Sequence, residues 1–273
     1  MNIQHKSMTT SDGARLAYTD QGEGQPVVLV HGMLCHGGHW KFQHQVLLDA
    51  GYRVITPDLR FHGSSDRPAR GQRISRLGED LGELIVTEDL HDVLIVGHSM
   101  GFSVTLAYLS LFGTTSVAAI VGIDQSPRII NDETWQWGVR HITWPQLESQ
   151  ILGQVGWSDP EREPTAPPHV LQMLQEVGGI DDFFQSPLTL RFDHFTADWR
   201  DVVPTIDVPL WVVTGEHSPS FPLEGMRWVA DTAPKSELTV YPNSGHCPHW
   251  NEYAAFNADL LHFLSRARPS VQR

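Results

Sequence analysis

The pentapeptide G-H-S-M-G at residues 97–101 lies between an apolar run, residues 93–96, and a segment of helical periodicity, residues 102–109. A strand that continues through G-x-S-x-G into a helix forms the sharp turn known as a nucleophile elbow. In such a turn the serine hydroxyl projects into a cleft, and the glycines avoid side chains that would clash. The pattern predicts Ser99 as a nucleophile, and an ordinary glycine-rich turn is the alternative.

The length and charge of the chain limit what it can be. With 273 residues it is long enough for one substantial core, and we expect one folded unit. The formal charge of −13 leaves no basic stripe to contact phosphates, so we expect no nucleic-acid partner. The apolar runs are strand-sized, well below the ~20 residues of a membrane span, so we expect no membrane association.

The cysteine content and the first residues bear on location. Cys35 and Cys247 are the two cysteines of the sequence, and residues 1–6 lead into polar sequence without the apolar centre of a signal peptide. We therefore expect a reducing, cytoplasmic location in which both cysteines serve packing rather than a disulfide. The sequence leaves a monomer and a homodimer equally open.

Short apolar runs alternate with helix-length segments, which predicts a mostly parallel sheet with helices on both faces. Strands are predicted at residues 14–21, 26–30, 53–57, 93–96, 117–123, 210–214 and 237–241. The first two are expected to pair as a hairpin through Gly22-Glu23-Gly24. Helices are predicted at residues 74–90, 101–112, 223–231 and 249–267.

The strand signal disappears between Gln125 and Ile206. Helical pieces are predicted there at residues 133–141, 145–152 and 169–177. We interpret residues 126–206 as a helical cap inserted into a core of residues 1–125 and 207–273. Some of its aromatic residues are expected to line an apolar pocket over Ser99, whereas burial between cap and core is the expected role of any single one: Trp135, Trp137, Trp144, Trp157, Phe183, Phe184 and Trp199.

A serine alcohol needs a base within hydrogen-bonding reach. The candidate is His246 in the loop at residues 243–248, which follows a predicted strand and precedes the last helix. A loop in that place can direct an imidazole to the carboxyl edge of the sheet. We therefore predict that His246 is the base, and a solvent-exposed loop histidine is the alternative.

Four features together resemble the α/β-hydrolase superfamily over nearly the whole chain. They are the elbow, the S-G-H loop before the last helix, His31-Gly32 directly after a strand, and the turn at residues 58–66. The resemblance implies a mostly parallel eight-stranded sheet flanked by helices. It also implies an oxyanion hole formed by the backbone N–H groups of Met33 and Met100.

The sequence departs from that family at the acid. Many relatives carry it after the seventh strand, at the place where this chain has Ser218. Asp124 is the predicted substitute, because it ends the strand beside the elbow strand and keeps the order Ser, Asp, His. Haloalkane dehalogenases and fungal-toxin lactonases look similar in this respect. Glu216 is the reserve candidate, and a turn-capping role is the alternative for Asp124.

Metal and cofactor sites are not expected. His31, His36 and His39 lie in one loop, yet no acid or cysteine accompanies them at a ligand spacing. We interpret these histidines as loop residues and as neighbours of the active-site residues. We predict neither a metal nor a cofactor.

These features predict a cofactor-free serine hydrolase that acts on a small, largely apolar or aromatic ester or lactone. Ser99 attacks the carbonyl, His246 transfers the proton, and Asp124 orients the imidazole. The first alternative resembles the cofactor-independent quinolone dioxygenases of the same fold, in which a His/Asp pair deprotonates the substrate and oxygen attacks the anion. The second alternative is a ligand receptor of this fold. Sequence alone identifies no particular substrate.

Overall fold

The computed structural model describes residues 5–154, 159, 161–162, 164–181 and 185–267. Within them one eight-stranded sheet forms the centre of the molecule. The strands are β1 (His5–Thr9), β2 (Arg15–Gln21), β3 (Pro26–Val30), β4 (Arg53–Pro57), β5 (Val93–His98), β6 (Val117–Ile123), β7 (Leu210–Gly215) and β8 (Ser236–Tyr241). Their order across the sheet is β1-β2-β4-β3-β5-β6-β7-β8. The predicted α/β class is therefore confirmed.

All ladders from β4 to β8 are parallel, whereas β2 pairs antiparallel with both β1 and β4. The predicted hairpin between β2 and β3 is wrong, because β4 lies between these two strands. Arg53 at the start of β4 pairs with Asp20 on β2 at 2.7 Å, which favours this neighbour. β1 was not predicted, because Met8 is its one buried residue and the strand therefore lacks a clear apolar pattern.

Nine helices occur in the described residues. They are α1 (Lys41–Asp49), α2 (Ile74–Thr87), α3 (Met100–Phe112), α4 (Leu147–Ile151), α5 (Pro168–Val177), α6 (Leu188–Thr196), α7 (Leu223–Thr232), α8 (Pro248–Asn251) and α9 (Tyr253–Arg266). Apolar residues of α2, α3 and α7 cover one face of the sheet, and those of α1 and α9 cover the other. Successive residues of β3 alternate between the two cores, so both faces of this central strand are buried.

Two helix predictions differ from the structure. The last helix is broken, since α8 and α9 meet at Glu252, whose φ of −117° and ψ of 42° are not helical. The segment at residues 133–141 is not a helix. There the Asn131 side chain donates to the carbonyl oxygens of Val139 and Ile142 and accepts from the Gly138 N–H, which replaces helical bonding.

The residues between β6 and β7, numbers 126–206, are called the inserted segment below. Its described part holds α4, α5 and α6 and adds no strand to the sheet. Of these helices, α6 had no counterpart in the prediction. Each helix of the described residues is too short or too polar to cross a lipid bilayer.

Candidate active site

Ser99 occupies a strained turn between β5 and α3. Its φ of 51° and ψ of −124° are rare for a residue with a side chain. The Ser99 N–H donates to the carbonyl oxygen of Ile123 at 2.9 Å, which anchors the turn to the end of the neighbouring strand β6. The sequence predicted this conformation from the two flanking glycines.

Those glycines are required by close contacts. A Cβ on Gly101 would lie 2.1 Å from the carbonyl oxygen of Val30, and one on Gly97 would lie 2.8 Å from the Gly101 backbone. Since real Cβ atoms do not approach so closely, any larger residue would push α3 away from β3 or β5. The turn thus keeps its shape only with glycine on both sides of Ser99.

His246 and Asp124 contact each other directly. Nδ1 of His246 lies 2.6 Å from Oδ2 of Asp124, and both side chains are buried. Asp124 follows β6, and its φ of 44° turns the chain so that the carboxylate remains at the carboxyl edge of the sheet. Glu216, the reserve acid, is exposed and lies outside this contact.

Two hydroxyl groups that the sequence reasoning missed complete the surroundings of the carboxylate. Thr214 donates to Oδ1 of Asp124 at 2.5 Å, and Ser218 donates to Oδ2 at 2.7 Å. Ser218 stands where the family pattern has its acid, so the residue that signalled the departure is itself a ligand of the relocated carboxylate. With His246, these donors supply hydrogen bonds that stabilise the ionised form of the carboxyl group.

His98, also missed, connects the elbow to the histidine loop. It precedes Ser99, and its Nε2 lies 3.1 Å from the carbonyl oxygen of His246. Because a carbonyl can only accept, Nε2 carries the proton and donates. Burial, followed by the nearby His249 and His246 rings, lowers the pKa of His98 well below its ordinary value, so the ring is neutral.

The loop after β3 carries one of the predicted oxyanion donors. The Leu59 N–H donates to Nε2 of His31 at 2.9 Å, so Nδ1 holds the proton and donates to the Gly32 carbonyl oxygen at 2.7 Å. Burial lowers the pKa of His31 well below its ordinary value. The neutral ring therefore fixes the loop immediately before Met33.

Met33 lines the same cavity as Ser99, and Met100 is the first residue of α3. The first N–H groups of a helix have no partner within it. Neither the Met33 nor the Met100 N–H donates a hydrogen bond to another described residue. Both are therefore available to an oxygen atom beside Ser99.

A cavity of about 300 Å³ opens over Ser99 and His246. Its apolar wall comes from the core, through Met33, Leu34, Pro219, Phe221 and Trp250, and from the inserted segment, through Ile129, Val139, Ile180 and Phe195. No Lys, Arg, Asp or Glu is among the described residues that line it. Such a volume and lining suit a small uncharged molecule.

The described members of the predicted aromatic set, Trp135, Trp137, Trp144 and Trp199, are not among the residues that line this cavity. Trp135 is buried against Trp137 and Trp228, Trp144 is 52% exposed, and Trp199 packs against the core. Burial is the role expected for any single member of the set, and Trp135 and Trp199 have it. Trp157, Phe183 and Phe184 lie outside the described residues.

The remaining candidates are structural. Among the described residues, no group of three or more His, Cys, Asp or Glu side chains is arranged to hold a metal ion. Burial lowers the pKa of His39 to about 4 and raises that of the Cys35 thiol to about 12. Cys35 and Cys247 both line the cavity, and no disulfide joins them.

Comparison with known proteins agrees with this architecture. A non-heme chloroperoxidase from Kitasatospora aureofaciens is 30% identical to this chain, and the alignment covers 94% of this chain and 98% of that protein. An esterase from Exiguobacterium antarcticum superposes with a TM-score of 0.84 at 23% identity, covering 96% of this chain and 100% of the esterase. A bromoperoxidase from Bacillus anthracis gives 0.82 at 24% identity, with coverage of 96% and 100%.

The model of the alpha/beta hydrolase family matches residues 27–259, from β3 to within α9. This match spans the elbow, the histidine loop and the acid after β6. The chain belongs to the alpha/beta hydrolase family.

Proposed function

We propose that this protein is a serine hydrolase of small, uncharged esters or lactones, with Ser99, His246 and Asp124 as its catalytic residues. The observation that carries the proposal is the 2.6 Å contact between His246 Nδ1 and Asp124, made where His246 and Ser99 line one cavity. Asp124 accepts a hydrogen bond from the Nδ1–H of His246, which leaves the Nε2 lone pair to take the proton of Ser99.

In the proposed reaction, the Ser99 oxygen attacks the carbonyl carbon of the substrate. The N–H groups of Met33 and Met100 would stabilise the oxyanion, and donors of this kind contribute roughly 2.7–4 kcal/mol each. His246 then protonates the leaving alkoxide, and an acyl group remains on Ser99. A water molecule, deprotonated by His246, hydrolyses the acyl-enzyme and restores the free serine.

The cavity supports the substrate class. A cavity volume of about 300 Å³ is at the small end for ligand sites. A charged substrate would lose its hydration on entering the cavity and would meet no opposite charge there, because the described lining residues include no Lys, Arg, Asp or Glu. An acyl chain of a few carbons, or a small lactone ring, would be complementary to the apolar wall.

A second activity is favoured by the 30% identity to a non-heme chloroperoxidase over 94% of the chain. We infer that hydrogen peroxide can replace water in the second step. Peroxide attack on the acyl-enzyme releases a peracid and free Ser99. The peracid then oxidises chloride to hypochlorous acid and is itself reduced to the carboxylic acid. The catalytic residues are the same in both reactions.

A fluorophosphonate probe and a panel of substrates would test the proposal. Wild-type protein should be labelled at Ser99 and should hydrolyse p-nitrophenyl esters or lactones through many turnovers, equally well without oxygen. Adding peroxide and chloride should give chlorinated monochlorodimedone only in the presence of an ester or a carboxylic acid. Ser99→Ala should abolish both activities.

Other outcomes would assign a different function. Oxygen consumption with 3-hydroxy-4-quinolones that survives Ser99→Ala but not His246→Ala would identify the dioxygenase reaction. Labelling of Ser99 followed by no product release would favour a ligand receptor. Either result would overturn the proposed hydrolase.

A further inference from the structure

His194 is a polar group in the wall of the cavity opposite the core residues. It lies on α6 of the inserted segment, next to Phe195, and its ring lines the cavity. The residue is 5% exposed. The inserted segment thus places an imidazole in a wall that it otherwise builds from apolar side chains.

This imidazole has no hydrogen-bond partner among the described residues. Nδ1 is fully buried and unpaired, and Nε2 makes no hydrogen bond to the protein either. The other two histidines at the cavity differ, since His98 bonds the carbonyl of His246, and His246 bonds Asp124. Buried polar atoms are nearly always paired. Since Nδ1 is enclosed by protein, Nε2 is the nitrogen available to a molecule in the cavity.

The charge of the ring restricts what can bind there. Burial lowers the pKa of His194 to about 3, so the imidazole is neutral in ordinary buffers. No carboxylate lines the cavity among the described residues to stabilise an imidazolium. The available Nε2 of a neutral imidazole donates in one tautomer and accepts in the other, which suits a carbonyl or a hydroxyl group.

We propose that His194 is a specificity-determining residue that hydrogen-bonds an uncharged oxygen group of the substrate, separate from the carbonyl that Ser99 attacks. The preferred substrates are therefore esters or lactones with an apolar body and one additional hydroxyl or keto group. This inference rests on the proposed hydrolase function for its kinetic test, but not for its binding test.

Matched substrates and variants would test the assignment. The substrates are p-nitrophenyl butanoate, its 2-hydroxy, 3-hydroxy and 3-oxo derivatives, and 3-methylbutanoate, which has similar bulk without a hydrogen-bonding group. His194→Phe removes both nitrogens. His194→Gln places an amide near the position of Nε2, and His194→Asn places one near Nδ1.

Wild type should prefer at least one oxygenated ester over the 3-methyl ester by about tenfold in kcat/KM, the effect of one hydrogen bond of about 1.4 kcal/mol. His194→Phe and His194→Asn should reduce that ratio to within about twofold, whereas His194→Gln should keep at least about threefold. All variants should keep the far-ultraviolet circular dichroism spectrum of wild type, which shows that they fold. An equal preference in wild type and His194→Phe would overturn the assignment.

Binding to the inactive Ser99→Ala protein separates this inference from the proposed function. The same esters would be titrated against Ser99→Ala with and without His194→Phe, using tryptophan fluorescence because Trp250 lines the cavity. If wild type hydrolyses none of the esters, but the binding preference of Ser99→Ala disappears with His194→Phe, hydrolysis is overturned and the role of His194 is supported. Turnover without any preference would overturn the role of His194 and leave hydrolysis standing.

Discussion

The core and the inserted segment contribute contrasting surfaces to one cavity. On the core side, polar groups are held by hydrogen bonds: Asp124 accepts from Thr214, Ser218 and His246. On the side of the inserted segment, the wall is apolar apart from His194, whose imidazole has no partner among the described residues.

In the proposed function, the core side of the cavity carries out the reaction, and the side of the inserted segment selects the substrate. Groups that must keep a fixed geometry lie at strand ends, where the sheet and close glycine contacts hold them. Groups that would meet the variable part of a substrate lie in the inserted segment, whose described part adds no strand to the sheet. Substitutions on the core side should therefore change the rate for every substrate, and substitutions on the other side should change which substrate is used.

The largest effect is expected for the nucleophile. Ser99→Ala should reduce kcat by about 10⁴-fold or more for all esters, because no other group can form the acyl-enzyme. Stopped assays with p-nitrophenyl butanoate would measure it. Ser103→Ala is the control, since Ser103 is also buried in α3 but lies outside the cavity. Turnover retained by Ser99→Ala would break the assignment of chemistry to the core.

Replacing the acid, Asp124, should reduce kcat almost as much as replacing the nucleophile. Asp124→Asn should reduce kcat by about 10⁴-fold, because an amide no longer stabilises the required tautomer and charge of His246. Glu216→Gln, in the exposed reserve candidate, should change kcat by less than about threefold. The reverse order in steady-state kinetics would show that the acid lies after β7.

Ser218→Ala sharpens the comparison between strand ends. Loss of its 2.7 Å hydrogen bond leaves Asp124 with one donor fewer, and hydrogen bonds to charged groups contribute about 1.5–3 kcal/mol. We expect kcat to fall about 10- to 100-fold with little change in KM. Ser220→Ala is a matched control, because the Ser220 hydroxyl is buried without a partner among the described residues. Equal kinetics for the two variants would argue against a positioning role.

The smallest effect concerns stability and His194. Its pKa of about 3 in the folded protein lies below the ordinary 6.5, so the unfolded chain binds the proton first as pH falls. The folded state therefore loses stability below pH 6.5, by about 2 kcal/mol from this residue between pH 7 and pH 5. In urea titrations between pH 7 and pH 5, the free energy of unfolding of His194→Phe should fall by about 2 kcal/mol less than that of wild type. His91→Gln, in a side chain that is 77% exposed, should behave as wild type.

The central part of the fold was predictable because its signals are local. Residues 93–112 combine a buried strand, two glycines and a helix, and the structure places Ser99 in the strained turn that this pattern requires. Sheet order was less accessible. The short turn after Gln21 resembles a hairpin, but pairing with β4 depends on contacts between distant segments, among them Arg53 with Asp20.

The residues of the candidate site also divide into those that the sequence could identify and those that it could not. Asp124 could be proposed because the end of a strand beside the elbow is a defined place in the fold. The donors Thr214 and Ser218 could not, because their role depends on side-chain directions that no spacing rule gives. His194 was missed for a similar reason, since its helix, α6, carries no strong sequence signal and its position over Ser99 is a product of tertiary packing.

The hydrogen bond from His98 to the carbonyl oxygen of His246 joins the strand before the nucleophile to the loop that carries the base. Heat cannot loosen that loop without breaking a contact buried at the end of a central strand. We therefore expect thermal inactivation to coincide with melting of the tertiary structure, without a folded but inactive intermediate. Substitutions that stabilise the sheet should extend the working temperature by the same number of degrees.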